Sequence, residues 1–174
     1  MIKDKNIIYN DIEYMEIVKD IISHEMVLKM KNYRQHFNTT CFDHCLYVSY
    51  NMYKICKKYN LDYKSGARAG LVHDLFLYDW RKREEGRKGL HAFTHPRTAY
   101  ENAKKIFNPN KKEKDIILKH MWPVTPKFPK YKESFLITYI DKYFACVEKS
   151  VNENNYENIH ILNVNTSDTL QKQG

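Results

Sequence analysis

The chain has 174 residues, the length of one domain, with 29 Lys+Arg against 21 Asp+Glu, a net charge of +8 and only 5 glycines. That length can bury one sizeable core, while so little glycine leaves no run able to cradle phosphate through its backbone, which excludes Rossmann and P-loop readings. No run approaches the ~18 apolar residues of a membrane span and the first residues carry no signal-peptide core, so the sequence reads as a soluble cytoplasmic protein whose charge favours anionic partners. In chain order, apolar residues recur at helical spacing. Ile12, Met15, Ile17, Ile21, Ile22, Met26 and Met30 mark a first amphipathic helix, and Phe42 to Tyr59 a second. A third is expected from Ser65 to Leu77. The fourth should begin near Pro96, a favoured first-turn residue, and end before Asn108-Pro109. Lys111 to Met121 and Glu133 to Glu148 complete the set. Alternating patterns are nearly absent. Only Ile159 to Val164 hints at a strand, inside a polar segment, 151–174, expected to be poorly ordered.

The expected architecture is therefore all-α, a single helical domain over residues 1–150. Gly66, Gly86 and Gly89 read as loop glycines. Cys41, Cys45, Cys56 and Cys146 lack metal-finger spacing and read as reduced thiols. Two connections are prominent: a charged loop from Tyr78 to Thr94, long enough for a lid or substrate wall, and a Pro- and Lys-rich segment from Trp122 to Lys132.

Polar residues on apolar helix faces carry the functional signal. Asp141 has Ile137 and Ala145 four residues away, and Asp74 has Leu71 and Leu77 three residues away. An unpaired carboxylate buried there would cost several kcal/mol or be forced neutral. His73, His120 and His44 sit in similar settings, and His95 precedes Pro96. One such residue is ordinarily a core histidine bonded to a carbonyl or a capping aspartate. Five on four helices point instead to a divalent cation, for which carboxylate oxygen and neutral imidazole nitrogen are good ligands. His91 is a weaker candidate. His24, His36 and His160 are assigned surface or structural roles.

The strings Phe42-Asp43-His44-Cys45-Leu46-Tyr47-Val48 and Ala69-Gly70-Leu71-Val72-His73-Asp74-Leu75, followed by His95, His120 and Asp141, resemble the HD-domain superfamily of metal-dependent phosphohydrolases over residues 34–148. The resemblance implies a helical bundle with ligands converging at its centre. His44, His73, Asp74 and Asp141 match the one-metal quartet. His95 and His120 match positions that supply a second metal, with Asp74 bridging. The implied cofactor is one or two divalent ions of iron, manganese or another first-row metal. No Gly-Tyr-Pro follows, and His120 precedes Met121 rather than a second His, so the sequence looks most like uncharacterised bacterial HD-domain proteins.

The implied chemistry is hydrolysis of a phosphate ester or anhydride in a small anionic metabolite, a nucleotide above all, by metal-activated water. Asp74, Arg97 and Lys142 are the expected catalytic groups, the basic pair countering phosphoryl charge. Lys127 and Lys130 are the expected substrate-binding groups, and Trp80 and Trp122 candidates to stack a base. Two other readings stand beside this one: a non-catalytic nucleotide-binding regulatory module, and an HD-type diiron oxygenase. Basic residues are spread along the chain with no nucleic-acid-binding pattern, so nucleic acid is not an expected partner.

Overall fold

Local capping chemistry sets where most of the helices begin. The computed structural model of the chain describes residues 1–36, 39–82 and 89–148. Asp4 caps α1 (Lys5–Asn10) and Asp11 caps α2 (Ile12–Ile22), each side chain accepting from a backbone N–H of the first turn. The single helix expected from Ile12 to Met30 is interrupted. His24 adopts extended backbone and its Nδ1 accepts from Met26 N at 3.2 Å, starting α3 (Glu25–Lys29) afresh. A 3₁₀ turn over Met30–Asn32 follows. Arg34–His36 (β1) and Thr39–Thr40 (β2) then pair antiparallel, a short ribbon for which the sequence carries no alternating pattern.

Thr40 caps α4 (Cys41–Lys58), which is the centre of the fold. Residues on almost every side of α4 are buried, from Phe42 through Leu46, Val48 and Met52 to Cys56. A helix apolar over so much of its circumference needs neighbours all around it. The most extensive of these contacts is with α5 (Tyr63–Val72), whose Asp62 cap starts it two residues before the expected Ser65. Gly66 and Gly70 lie buried within α5, so Gly66 is a packing residue and the loop reading of it is corrected. A Cβ at Gly70 would meet Ser49 Cα at 2.8 Å, which shows how closely the two backbones approach. The Ser49 hydroxyl fixes the same junction, donating to Ala67 O at 2.6 Å and accepting from Tyr14 OH at 2.8 Å.

The fourth helix, α6 (His91–Ala103), starts five residues before Pro96, so the first-turn reading of that proline is corrected. Its ring removes the donor that would have bonded the Ala92 carbonyl, a cost the helix tolerates close to its N-terminal end. A capping box joins Asn110 and Glu113 at the start of α7 (Lys111–Lys119). The last described helix, α8, covers 132–148. The all-α expectation holds for the described residues, apart from the ribbon. The segments expected to form a poorly ordered tail and a strand near 159–164, with Gly86 and His160, lie outside the described residues. No described helix is long and apolar enough to cross a membrane.

Candidate metal centre

Five helices and their ends deliver six polar side chains to one interior point. His44 comes from the first turn of α4, His73 from the C-cap of α5, and Asp74 from the turn beyond it. His95 projects from α6, His120 from the C-cap of α7, and Asp141 from α8. All six are buried, Asp141 the least so at 8% exposure. They form two groups, His44–His73–Asp74–Asp141 and Asp74–His95–His120, each with its ligand atoms within 4.8 Å of one another. Asp74 belongs to both.

Three of the imidazoles are held in one tautomer by their own helices. His73 Nδ1 lies 2.8 Å from Gly70 O, His95 Nδ1 2.8 Å from His91 O, and His120 Nδ1 2.8 Å from Ile117 O. A carbonyl only accepts, so each Nδ1 carries a proton and each Nε2 is directed at the centre, where it offers a lone pair once the ring is neutral. His95 Nε2 and His120 Nε2 face each other at 2.8 Å, and both approach Asp74 Oδ1, at 3.1 and 3.4 Å. Two lone pairs at that separation repel unless a cation or proton lies beside them. His73 Nε2 and Asp74 Oδ1 are buried and make no hydrogen bond among the described residues, although buried polar atoms are otherwise almost always satisfied. The donor set therefore fits a divalent ion: imidazole nitrogens and carboxylate oxygens converge on one buried point. Nitrogen and oxygen ligands of this kind suit first-row metals.

Around these ligands stand groups that orient them. His44 Nε2 faces Asp141 Oδ1 at 3.1 Å, while its Nδ1 faces Glu148 Oε2 at 3.4 Å. Gln35 donates from Nε2 to Asp74 Oδ2, and Cys41 donates from Sγ to the Asp74 carbonyl at 3.1 Å. Burial works against charge on His44, yet the Asp141 and Glu148 carboxylates outweigh it and raise its pKa well above the usual imidazole value. Burial also works against charge on Asp74, but His73, His95 and His120 hold its carboxyl well below the usual range. Asp141 is lowered in the same way by His44 and His73. Both carboxylates are thus anionic at neutral pH.

The centre opens on a cavity of about 250 Å³. Asp74, His95 and Asp141 form its floor. Gln35, His91, Trp80, Met121, Val124, Lys142 and Ala145 form its walls. Lys142 is half-buried and donates from Nζ to the His120 carbonyl at 3.3 Å. Burial lowers its pKa, against the opposing charge of Asp141. Trp80 stacks on His91 with ring centroids 5.4 Å apart, and His91 stacks on His95 at 4.4 Å.

The other expected contacts fall elsewhere. Arg97 lies two residues after the inward His95, about 200° around the helix. Its side chain is 75% exposed and pairs with Glu101 at 3.4 Å. Lys127 and Lys130 are exposed and do not line the cavity, Lys130 resting over the Tyr131 ring. Trp122 packs against Phe128 and Phe135 rather than the cavity. Of the loop 78–94, Trp80 and His91 do form a wall, while residues 83–88 lie outside the description.

Sequence reasoning missed Gln35 and Glu148. Gln35 lies in the ribbon, where no periodicity marks an inward residue. Glu148 had a signal: it follows Asp141 by seven residues, two turns along one face of α8. No family model, curated protein or solved structure matches the chain.

Proposed function

We propose that the protein is a metal-dependent phosphohydrolase of the HD type, cleaving a phosphate ester or anhydride of a small anionic metabolite. One observation carries the reading: two groups of potential ligand atoms share Asp74 at the floor of a single cavity, with imidazole nitrogens aimed at that floor. Divalent ions bound there would neutralise phosphate charge and acidify water. Asp74 turns Oδ1 toward His95 and His120 and Oδ2 toward His73 and Gln35, and so suits a bridging ligand. Lys142, the one lysine or arginine among the described residues lining the cavity, would meet a phosphoryl oxygen with its ammonium. Met121, Val124 and Ala145 give the cavity an apolar wall beside that floor. Water adds to phosphorus, the bridging P–O bond breaks, and the departing oxygen takes a proton.

The test is metal analysis of the purified protein, followed by phosphate release from a panel of esters and anhydrides with added manganese. Asp74→Ala should lose both bound metal and turnover. Turnover at the wild-type rate in Asp74→Ala would exclude this site. An intact protein that binds metal but releases no phosphate from any of the panel would refute hydrolysis.

A further inference from the structure

Gln35 reaches the centre from the ribbon, and only one of its two amide atoms finds a partner there. The β1–β2 pairing shifts register between Arg34 and His36. An irregularity of this kind takes one residue out of the ladder and re-aims its side chain. Here that residue is Gln35, whose own carbonyl accepts from Trp80 Nε1 at 3.2 Å. Gln35 is 6% exposed and lines the cavity. A carboxylate only accepts, so the amide atom that meets Asp74 Oδ2 is the donor Nε2, and Oε1 is the atom left over. Oε1 is buried and makes no hydrogen bond, a condition that folded proteins seldom leave uncompensated. The two amide atoms share one carbon, so Oε1 stands within the span of a single water from the Asp74 carboxylate. The six ligand side chains turn carboxylate oxygens and imidazole nitrogens toward the centre. Once those atoms are given over to divalent ions, they have no proton for Oε1. The water that such ions would acidify does, because it keeps an O–H even as hydroxide.

We propose that Gln35 positions the attacking water, its Nε2 fixing Asp74 Oδ2 and its Oε1 accepting an O–H of that water, so that an oxygen lone pair is left for phosphorus. This rests on the phosphohydrolase reading of the site and adds to it the residue that aims the nucleophile.

Fluoride binding to the manganese-loaded protein, measured by calorimetry, tests it without turnover. Fluoride takes the place of water on such ions but has no proton to give, so in the wild type it leaves Oε1 unpaired. Gln35→Met is similar in length and lacks the oxygen, and should bind fluoride about tenfold more tightly than wild type. Gln35→Leu should do the same. Gln35→Glu keeps an oxygen acceptor at that point and should bind fluoride no more tightly than wild type. A role confined to holding Asp74 or the fold gives the opposite result, weaker fluoride binding in Gln35→Met and Gln35→Leu. A second measurement needs no variant: electron-nuclear double resonance of the manganese-loaded wild type should show an exchangeable proton in one fixed orientation, lost in D2O. Fluoride binding unchanged or weakened in Gln35→Met and Gln35→Leu, or no such proton in the wild type, would overturn the inference. So would a water gained by the ion in Gln35→Met, since Oε1 would then have been a ligand itself. The two readings fail separately. If fluoride tightens but the panel of esters and anhydrides releases no phosphate, hydrolysis fails and the water site stands. If phosphate is released but fluoride does not tighten, hydrolysis stands and the role of Gln35 fails.

Discussion

Alanine substitutions at Gly66 and Gly70, one turn apart on α5, should have opposite effects. Both replace a glycine inside a helix, and both gain up to ~1 kcal/mol in helix propensity. They differ in what the new methyl meets. At Gly70 it would lie 2.8 Å from Ser49 Cα and 3.3 Å from Ser49 N, backbone atoms of α4 that no side-chain rotation moves. At Gly66 the nearest atoms are Cys56 Sγ at 3.2 Å and Met52 Cε at 3.5 Å, both ends of side chains that can yield. Forcing a methyl into packed structure typically costs ~1–3 kcal/mol. For Gly70→Ala the upper part of that range applies, since two helices must separate, and subtracting the propensity gain leaves a loss of about 1–2 kcal/mol. For a chain of this length that lowers Tm by roughly 2–8 °C. Gly66→Ala should melt at or slightly above wild type. Thermal denaturation followed by circular dichroism, on metal-stripped protein, measures both. Because α4 and α5 carry His44 and His73, Gly70→Ala should also show a smaller rise in Tm when manganese is added. A Gly70→Ala protein that melts at or above Gly66→Ala would refute the close-approach argument.

Four further outcomes are expected. Glu148→Gln keeps the volume but loses the carboxylate facing His44 Nδ1, and should lower metal affinity about 10–100-fold by titration. Arg97→Ala, at a position exposed to solvent, should leave metal content and phosphate release unchanged; a large loss of turnover would place its side chain at the cavity after all. Lys142→Met should lower phosphate release while retaining bound metal, because Lys142 Nζ contacts a carbonyl rather than a ligand atom. The pH dependence of stability should include the cluster of Asp62, Glu133 and Lys112. Burial raises both acids, but hydrogen bonds from Ser65 to Asp62 and from Lys112 to Asp62 and Glu133 bring them below their ordinary values of 3.8 and 4.5. A depressed carboxyl pKa stabilises the fold above its unfolded value and ceases to do so as pH falls through the folded one. Lys112→Met should therefore destabilise near pH 7 in urea melts, and its deficit should shrink as pH falls below about 4.

The six side chains of the candidate centre were legible because burial makes a polar residue on an apolar face conspicuous, and each of the six sits on such a face or at its end. The helices were legible for the same reason of periodicity, but their limits followed local chemistry that periodicity does not report. The His24 ring ended one long helix and began another. Pro96, read as a start, sits inside α6 because the chain can spare one hydrogen bond near a helix end. Direction on a helix was harder still. Arg97 is near His95 in sequence but points away from it, since two residues along a helix is more than half a turn. Gln35 could not have been found from pattern, as it depends on a ribbon of a few residues and on its pairing with Asp74 across 39 positions of chain.

The carbonyls that fix the imidazoles have a mechanical meaning. His73, His95 and His120 are each tied to a peptide oxygen three or four residues back on the same helix. Ring and helix end therefore move as one rigid arm, and the ring has little freedom to swivel on its own. Adjusting the centre to an ion of different radius must then occur by sliding whole helices against their neighbours. The seam between α4 and α5, with glycine on one side and Ser49 on the other, leaves very little slack for such sliding. Discrimination among cations would accordingly be set by how stiffly the bundle is packed as well as by which atoms touch the ion. A substitution in that seam, touching no ligand atom itself, would act as a change of calibre.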